Sequence, residues 1–475
     1  MQNDSRNESL RLLGLFEFSQ LRSLGLTAAC AAAAALASQV PAYDGLSEAG
    51  RRALGVLVFC ALMWVSEAIP AFATSLLAIG LLIALLGRPG GVFATGETDW
   101  QVFIQPWGSP LIWLFFGGFC LATGAGRTGL DRWMARRAMA LFGTAPALVL
   151  LGAMLITSVL SMFVSNTATA TLMVAVLGPL VAVRGGDDRL PKALLLGVAF
   201  AANIGGMGTI IGTPPNAIAA GALSAAGTPI DFARWMVIGA PPAFALLALS
   251  WGYLIAAYLG RAAFRPLGAF SLGDEPSAAA PLLRQAVVVG TFTTTVVLWM
   301  TSPLSGLPTT VVSFVPICVL TATGILTADD MRRLPWDILL LIAGGLSLGV
   351  AVDRTGLADW VVGRLPTGGV SPWLLVLGFG YLTMALSNLI SNTATANIVL
   401  PLATAALAST DARLAAPIAL CASLAMCLPI STPPNAIVYS TRVLGSRDLL
   451  AGGLLLGLLG PVVVMAWCRL ALAWV

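Results

Sequence analysis

Four stretches of the sequence, 138–183, 193–230, 365–410 and 414–441, contain no Asp, Glu, Lys or Arg. A soluble domain, in which roughly a quarter of residues are charged, does not tolerate such runs. The hydrocarbon core of a bilayer requires them, because a spanning helix needs about 20 mostly apolar residues. Runs of that kind recur near 23–42, 53–70, 71–87, 108–126, 192–224, 235–259, 285–303, 308–325, 337–352, 415–441 and 449–474, which gives eleven expected spans. Two further apolar blocks, 140–183 and 371–410, are each long enough for two helices and are interrupted by polar residues near their centres. The expected fold is an all-α polytopic membrane protein with about 11 transmembrane helices and two re-entrant hairpins.

The scarce charges fall between these runs and orient them. With the N-terminus in the cytoplasm and each long block returning to its own side, seventeen of the 25 Lys and Arg residues lie inside and seven outside. That is the bias the positive-inside rule expects. Residues 1–22, with Arg6, Arg11 and Arg22, show no cleavable signal ahead of the first span. A formal net charge of +4, thinly scattered, argues against nucleic acid as a partner. The chain has no histidine, which removes His-ligated metals, His general bases and His proton relays together. Its seven cysteines lie in apolar runs without a CxxC pair and are expected to be small buried hydrophobes. Compact loops and an Ala- and Arg-rich composition suit a multi-pass protein of a bacterial inner membrane.

Three motifs occur twice in the same order. Gly117-Gly118, ten residues before Arg127-Thr128-Gly129-Leu130, matches Gly344-Gly345 before Arg354-Thr355-Gly356-Leu357. Ser165-Asn166-Thr167-Ala168-Thr169-Ala170 matches Ser391-Asn392-Thr393-Ala394-Thr395-Ala396, and Thr213-Pro214-Pro215-Asn216-Ala217-Ile218 matches Thr432-Pro433-Pro434-Asn435-Ala436-Ile437. The offsets, 227, 226 and 219, are nearly constant, so the chain is an internal duplication. In the topology above, the first hairpin opens from the cytoplasm and the second from outside. The repeat is therefore expected to be inverted, the arrangement in which secondary transporters bind substrate near the midplane between interrupted helices. A plainer reading makes the polar motifs mere helix breaks or packing groups; their duplication beside paired prolines favours a binding site.

Ser and Asn are strong helix N-caps, so each Ser-Asn-Thr is expected to end one helix at a hairpin tip and start the next. The new helix aims its free amides and positive dipole end at whatever lies beside the tip. Paired prolines remove two N–H donors and free earlier carbonyls, and broken backbone survives in lipid only where it lines a cavity or binds something. Freed carbonyls and side-chain oxygens suit sodium; helix starts and Thr or Asn donors suit an oxyanion. All four motif copies lie in the uncharged stretches. A bound anion would have no protein counter-ion, which low dielectric makes prohibitive. Co-bound sodium is the expected remedy, and no carboxylate in the site is available for proton coupling.

Glu67, in Trp64-Val65-Ser66-Glu67-Ala68-Ile69-Pro70, is the one acid well inside an expected span, a functional candidate by default. Its closeness to Pro70 favours a structural role, such as bonding a neighbouring helix end. The Gly pairs suit close helix packing, segment 261–284 a cytoplasmic linker, and segment 93–106 with Trp100 and Trp107 the membrane interface. An intramembrane serine hydrolase would need a base, and Lys192, the sole lysine, sits at a span end. An enzyme is therefore not expected.

The paired Ser-Asn-Thr motifs, each followed by Thr-Pro-Pro-Asn-Ala-Ile, resemble the divalent anion:sodium symporter family, which includes sodium-coupled dicarboxylate, citrate and sulfate transporters. Residues 64–70 are similar to its Trp-x-Thr-Glu-Ala-x-Pro segment, with Ser66 in place of threonine. The resemblance implies a homodimer working as an elevator. Scaffold parts at 1–137 and 285–365 would hold transport parts at 138–260 and 366–475, with the linker 261–284 between the halves. It implies that Ser165, Asn166, Thr167, Ser391, Asn392 and Thr393 bind the substrate, with Thr213, Thr432 and Pro433 completing the pocket. It implies one sodium site at Ser161, Ser165, Asn166 and Gly212. A second would lie at Ser387, Ile390, Asn392 and Ser431, largely through main-chain oxygens. The function expected is sodium-coupled import of a C4-dicarboxylate such as succinate, malate or fumarate. Dicarboxylate exchange without sodium, and citrate or sulfate uptake, are the alternatives.

Overall fold

The structure, a computed structural model, describes residues 18–39, 43–93, 96–181, 188–266, 281–364, 370–407 and 411–474. Arg6, Arg11, Arg184 and most of the expected linker 261–284 lie outside the described residues. Among those described, the chain is helical without strands. Glu48–Ser66, Pro110–Thr128, Arg189–Gly208, Phe232–Phe264, Leu282–Met300, Trp336–Arg354 and Ser446–Ala471 are long and apolar enough to cross a bilayer. The other expected spans are shorter or interrupted. Phe18–Ser38 is one helix, Ala71–Leu82 continues into the π-turn Ile83–Gly87, and 308–325 divides into Thr309–Val312 and Phe314–Ala322. The run 415–441 breaks into Ala415–Ala422 and Pro433–Ser440. Each long block is a packed helix pair, Pro146–Ser161 with Asn166–Val181 and Pro372–Ser387 with Asn392–Leu407, joined through 162–165 and 388–391.

Local chemistry sets these boundaries. Pro110, Pro146, Pro214, Pro372 and Pro433 stand in the first turns of their helices. A missing N–H costs nothing there and the fixed φ is already helical. Gly129 and Gly356 take left-handed φ of 65° and 74° where one helix ends and the next begins, a conformation that strains other residues. Adding 226 to Pro110, Thr128, Pro146, Ser161 or Asn166 gives the matching boundary in the second half, so the duplicated motifs sit in duplicated elements.

Arg189–Gly208 is the spine, with 89% of its most apolar window buried, against 22% for the outward-facing Leu282–Met300. The first helix pair, Phe232–Leu254 and Pro433–Ser440 pack around it. The halves exchange partners: Pro214–Ala225 packs on Asn392–Leu407, and Pro433–Ser440 packs on Asn166–Val181. Phe18–Ser38, Glu48–Ser66, Ala71–Leu82 and Trp336–Arg354 surround a second apolar cluster that includes Met63 and Leu348. The Gly pairs permit close approach. A Cβ on Gly117 would stand 2.6 Å from the Ser313 carbonyl and one on Gly118 3.1 Å from Ile211, while Gly344 lies against Ser75 and Gly345 against Asn397.

Charges pin helix ends. Lys192 pairs with Asp448 at 3.1 Å, and Tyr258 donates to the same carboxylate at 2.8 Å, so three helix ends meet. Lys192 is thus held by a carboxylate and not by a motif serine. Arg127 of the first Arg-Thr-Gly-Leu pairs with Asp330, which caps its own helix at Thr327. Elsewhere Trp360 and Arg364 donate to the Asp44 carbonyl and Ser47 donates to that of Thr355.

Two expectations are corrected. Glu67 does not bond a neighbouring helix end: it is an exposed, left-handed C-cap (φ 48°), with no partner among the described residues. Cys318 is exposed and Cys427 half-buried, whereas the other cysteines are buried. Only Pro316 and Leu320 of the helix Phe314–Ala322 are fully buried, and Cys318 stands on its exposed face.

Replacing Gly117 or Gly344 by Val should lower stability by about 1–3 kcal/mol, the usual overpacking cost. Gly378→Ala, with nothing within 4 Å of the added carbon, should leave the detergent unfolding temperature unchanged or raised. Equal unfolding temperatures for all three would contradict the close helix contacts.

Candidate functional site

Both hairpin tips start helices in the same way. The Ser165 hydroxyl accepts from Ala168 N at 3.3 Å and that of Ser391 from Ala394 N at 3.1 Å, while their carbonyls accept from Thr169 N and Thr395 N, both at 3.0 Å. Serine is therefore the cap, and Asn166-Thr167 and Asn392-Thr393 are the first helical residues. Amides in a first turn lack intrahelical acceptors and carry the positive end of the dipole.

The breaks are more fully bonded than the paired prolines suggest. Asn216 Nδ2 donates to the carbonyls of Gly206 (2.9 Å) and Thr209 (2.7 Å). Asn435 Nδ2 donates to those of Met426 (3.1 Å) and Leu428 (2.9 Å). The asparagine of Thr-Pro-Pro-Asn thus satisfies the backbone that its own prolines disrupt, and fewer carbonyls remain for an ion than expected. Thr209 also donates to the Met162 carbonyl, fastening the first break to the first tip.

One arm of the Asn166 amide meets oxygens only: Ser161 Oγ at 2.7 Å, the Gly212 carbonyl at 3.2 Å and the Ala202 carbonyl at 3.3 Å. Ser161 also donates to the Ala202 carbonyl at 2.7 Å, and its one proton serves one acceptor at a time. If the arm is the nitrogen, it donates to its neighbours. If it is Oδ1, the cluster becomes oxygens facing oxygens and calls for a cation. At the second tip, Ser387 Oγ and Asn392 Oδ1 are buried without a partner, and Ile390 is buried beside them in sequence. Ser431 Oγ donates toward Asn388, lying 3.1 Å from Oδ1 and 3.3 Å from the carbonyl, and accepts from Leu428 N at 3.1 Å.

Tips and breaks surround a cavity of about 220 Å³. Ser165, Asn166 and Thr167 line it from one tip and Ser391, Asn392 and Thr393 from the other. Gly212 and Thr213 with Ser431, Thr432 and Pro433 line it from the two breaks, and Phe115, Phe119 and Phe163 form an apolar wall. No ionisable side chain lines it among the described residues. Ser161, Ser387 and Ile390 are buried but do not line it. Phe163 meets Phe292 edge-on at 5.4 Å, tying the first tip to Leu282–Met300. A larger cavity of about 430 Å³ reaches Asp353 and Arg354 but takes in no tip residue.

Two residues not singled out in the sequence belong to this region. Asn203 lines the cavity and donates to Thr432 Oγ1 at 3.0 Å, and Asn388 accepts from Cys427 N at 2.9 Å, closing the second break on its tip. For Asn203 the available signal was a lone asparagine in the otherwise apolar run 193–205.

Residues 61–415 match the citrate transporter family CitMHS. The sodium-dependent dicarboxylate transporter SdcS of Staphylococcus saprophyticus is 34% identical over 456 residues, covering 89% of this chain and 86% of the relative. SdcS of Staphylococcus aureus is 32% identical over 448 residues, covering 87% and 84%. Among solved structures, the Alcanivorax borkumensis YdaH transporter aligns with a TM-score of 0.55 over 87% of this chain and 98% of its own, at 14% identity, a likeness of fold alone.

Asn216→Leu and Asn435→Leu each strand two carbonyls and should each cost about 2–6 kcal/mol, at about 1–3 per unsatisfied group. Ser165→Ala should cost about 1 kcal/mol as a lost cap. Thermal unfolding in detergent ranks them; asparagine variants no less stable than Ser165→Ala would show that the breaks do not depend on those bonds.

Proposed function

The chain belongs to the divalent anion:sodium symporter family, and on that premise we propose that it imports a C4-dicarboxylate, succinate, malate or fumarate, together with sodium. The observation that carries this reading is a small cavity without a charged side chain, set between two helix starts. Asn166, Thr167, Asn392 and Thr393, at the starts capped by Ser165 and Ser391, donate to the two carboxylates. Thr213, Thr432 and Pro433 close the cavity.

Sodium is the coupling ion. The first ion takes Ser161, Ser165, Asn166 and Gly212, and the second takes Ser387, Ile390, Asn392 and Ser431. Each asparagine then turns Oδ1 to the cation and Nδ2 to the anion, so one amide serves both charges. A dianion without a counter-ion is too costly in this dielectric, and sodium held only by neutral oxygens leaves an uncompensated positive charge there. Each ligand therefore favours the other, and the coupling is reciprocal.

The same reading makes the two halves inverted and the machine an elevator in the bacterial inner membrane, with a cytoplasmic N-terminus and a homodimeric scaffold. The parts 138–260 and 366–475 slide as one body past 1–137 and 285–365. In its favour, Lys192, Tyr258 and Asp448 bind the two moving parts to each other. Two of the close contacts across the sliding boundary fall on glycine, at Gly118–Ile211 and Gly345–Asn397. Asp44 and Ser47 also meet residues 355–364, which the positive-inside topology places on the same side. Citrate is the second reading, because residues 61–415 match a citrate transporter family.

Succinate uptake into proteoliposomes should follow an inward sodium gradient and fall to background in choline. Asn166→Ala and Asn392→Ala should each reduce it at least about tenfold, the loss of a charge-assisted hydrogen bond. If more than two sodium ions accompany each dianion, an inside-negative potential assists by about 2.3 kcal/mol per net charge per 100 mV. Uptake indifferent to sodium would favour exchange.

A further inference from the structure

The symport reading leaves Asn203 without a role. This side chain of Arg189–Gly205 lines the cavity at 1% exposure. Its Nδ2 has three acceptors: the Ala199 carbonyl at 3.0 Å, Thr432 Oγ1 at 3.0 Å and Asn435 Oδ1 at 3.4 Å. A carbonyl only accepts, so the Ala199 contact settles which end of the amide carries the nitrogen. The opposite end, Oδ1, is buried and accepts from no group.

On the symport reading the Oδ1 atoms of Asn166 and Asn392 turn to sodium, which leaves Asn203 Oδ1 as an acceptor beside groups that donate to the substrate. Helix-start amides, Asn166, Asn392 and the threonines all have protons for a carboxylate oxygen. Asn203 Oδ1 has none, and it repels a carboxylate oxygen brought near it. What it suits is an O–H on the substrate. A site that leaves a buried acceptor unmatched discriminates against the ligand lacking the donor far more strongly than an apolar pocket discriminates by size.

We propose that Asn203 Oδ1 accepts a hydrogen bond from a hydroxyl on the carbon chain of the substrate, so that the transporter prefers a 2-hydroxy-dicarboxylate to its unsubstituted parent. The proposal rests on the dicarboxylate reading of the cavity. The other end of the same amide holds Thr432, which caps Pro433–Ser440, so the hydroxyl is read against a wall fixed by the second break. Asn203 is a specificity residue here, separate from the groups that hold the carboxylates.

The test uses the full chain in proteoliposomes with sodium, measuring inhibition of labelled succinate uptake. Wild type should be inhibited by one enantiomer of malate about tenfold more strongly than by 2-methylsuccinate of matching configuration, in which a methyl replaces the hydroxyl. In Asn203→Leu, of similar volume but without the acceptor, that ratio, taken from the two inhibition constants against the succinate uptake that remains, should fall to about one. Equal inhibition of the wild type by the two ligands overturns the proposal and needs no variant. So does an Asn203→Leu protein that loses both ligands in equal proportion, or one whose sodium dependence moves while its ratio does not. Wild type that transports no dicarboxylate overturns the symport reading along with this one, whereas intact uptake with a ratio of one overturns this proposal alone.

Discussion

Asn166 turns one amide arm toward three oxygens, at the edge of a cavity that has no charged side chain. Both facts express a single electrostatic constraint. With Oδ1 turned to those oxygens the cluster calls for a cation, and on the proposed reading the neutral donors at the two helix starts take an anion. In low dielectric neither ion is well held without the other. A carboxylate or an arginine in the wall would hold one ion permanently and weaken the dependence between them. On the proposed reading, the absence of charge from 193–230 and 365–410 is a working property of the site as well as a condition for residence in a membrane.

The architecture follows from building such a site in lipid. Backbone must be interrupted to offer amides and carbonyls, and interrupted backbone must still be satisfied. Asn216 and Asn435 accomplish this by reaching back across their own breaks to two carbonyls each. Duplication supplies a second tip and a second break, and the exchange of Pro214–Ala225 and Pro433–Ser440 between the halves brings all four together. The spine Arg189–Gly208 is buried because the first helix pair, Phe232–Leu254 and Pro433–Ser440 pack on it.

Much of this was legible in the chain. Apolar runs placed the helices, prolines marked where they begin, and the offset of 226 between the Ser-Asn-Thr copies anticipated matching boundaries. The tips were legible because capping is a local interaction between residues three apart. What escaped depends on irregular backbone shape or on contacts distant in sequence. That Asn216 and Asn435 consume freed carbonyls requires the shape of the break, and Asn203 meets Thr432 only because the two halves interleave. Asn388, which closes the second break, has Met162 at the corresponding place in the first half, so the repeat did not flag it. Glu67 misled because an acid within an apolar run says nothing about a left-handed turn that puts it at the surface. Cys318 likewise looked buried until its helix proved to be packed on one face.

The central claim is that the dianion binds because sodium supplies the charge that the protein withholds. Calorimetric titration of succinate into the purified protein, at sodium concentrations balanced with choline at constant ionic strength, tests it most directly. The account predicts no measurable binding in choline alone, and an affinity that rises with more than the first power of sodium concentration. Succinate binding of equal affinity in choline and in sodium would contradict it.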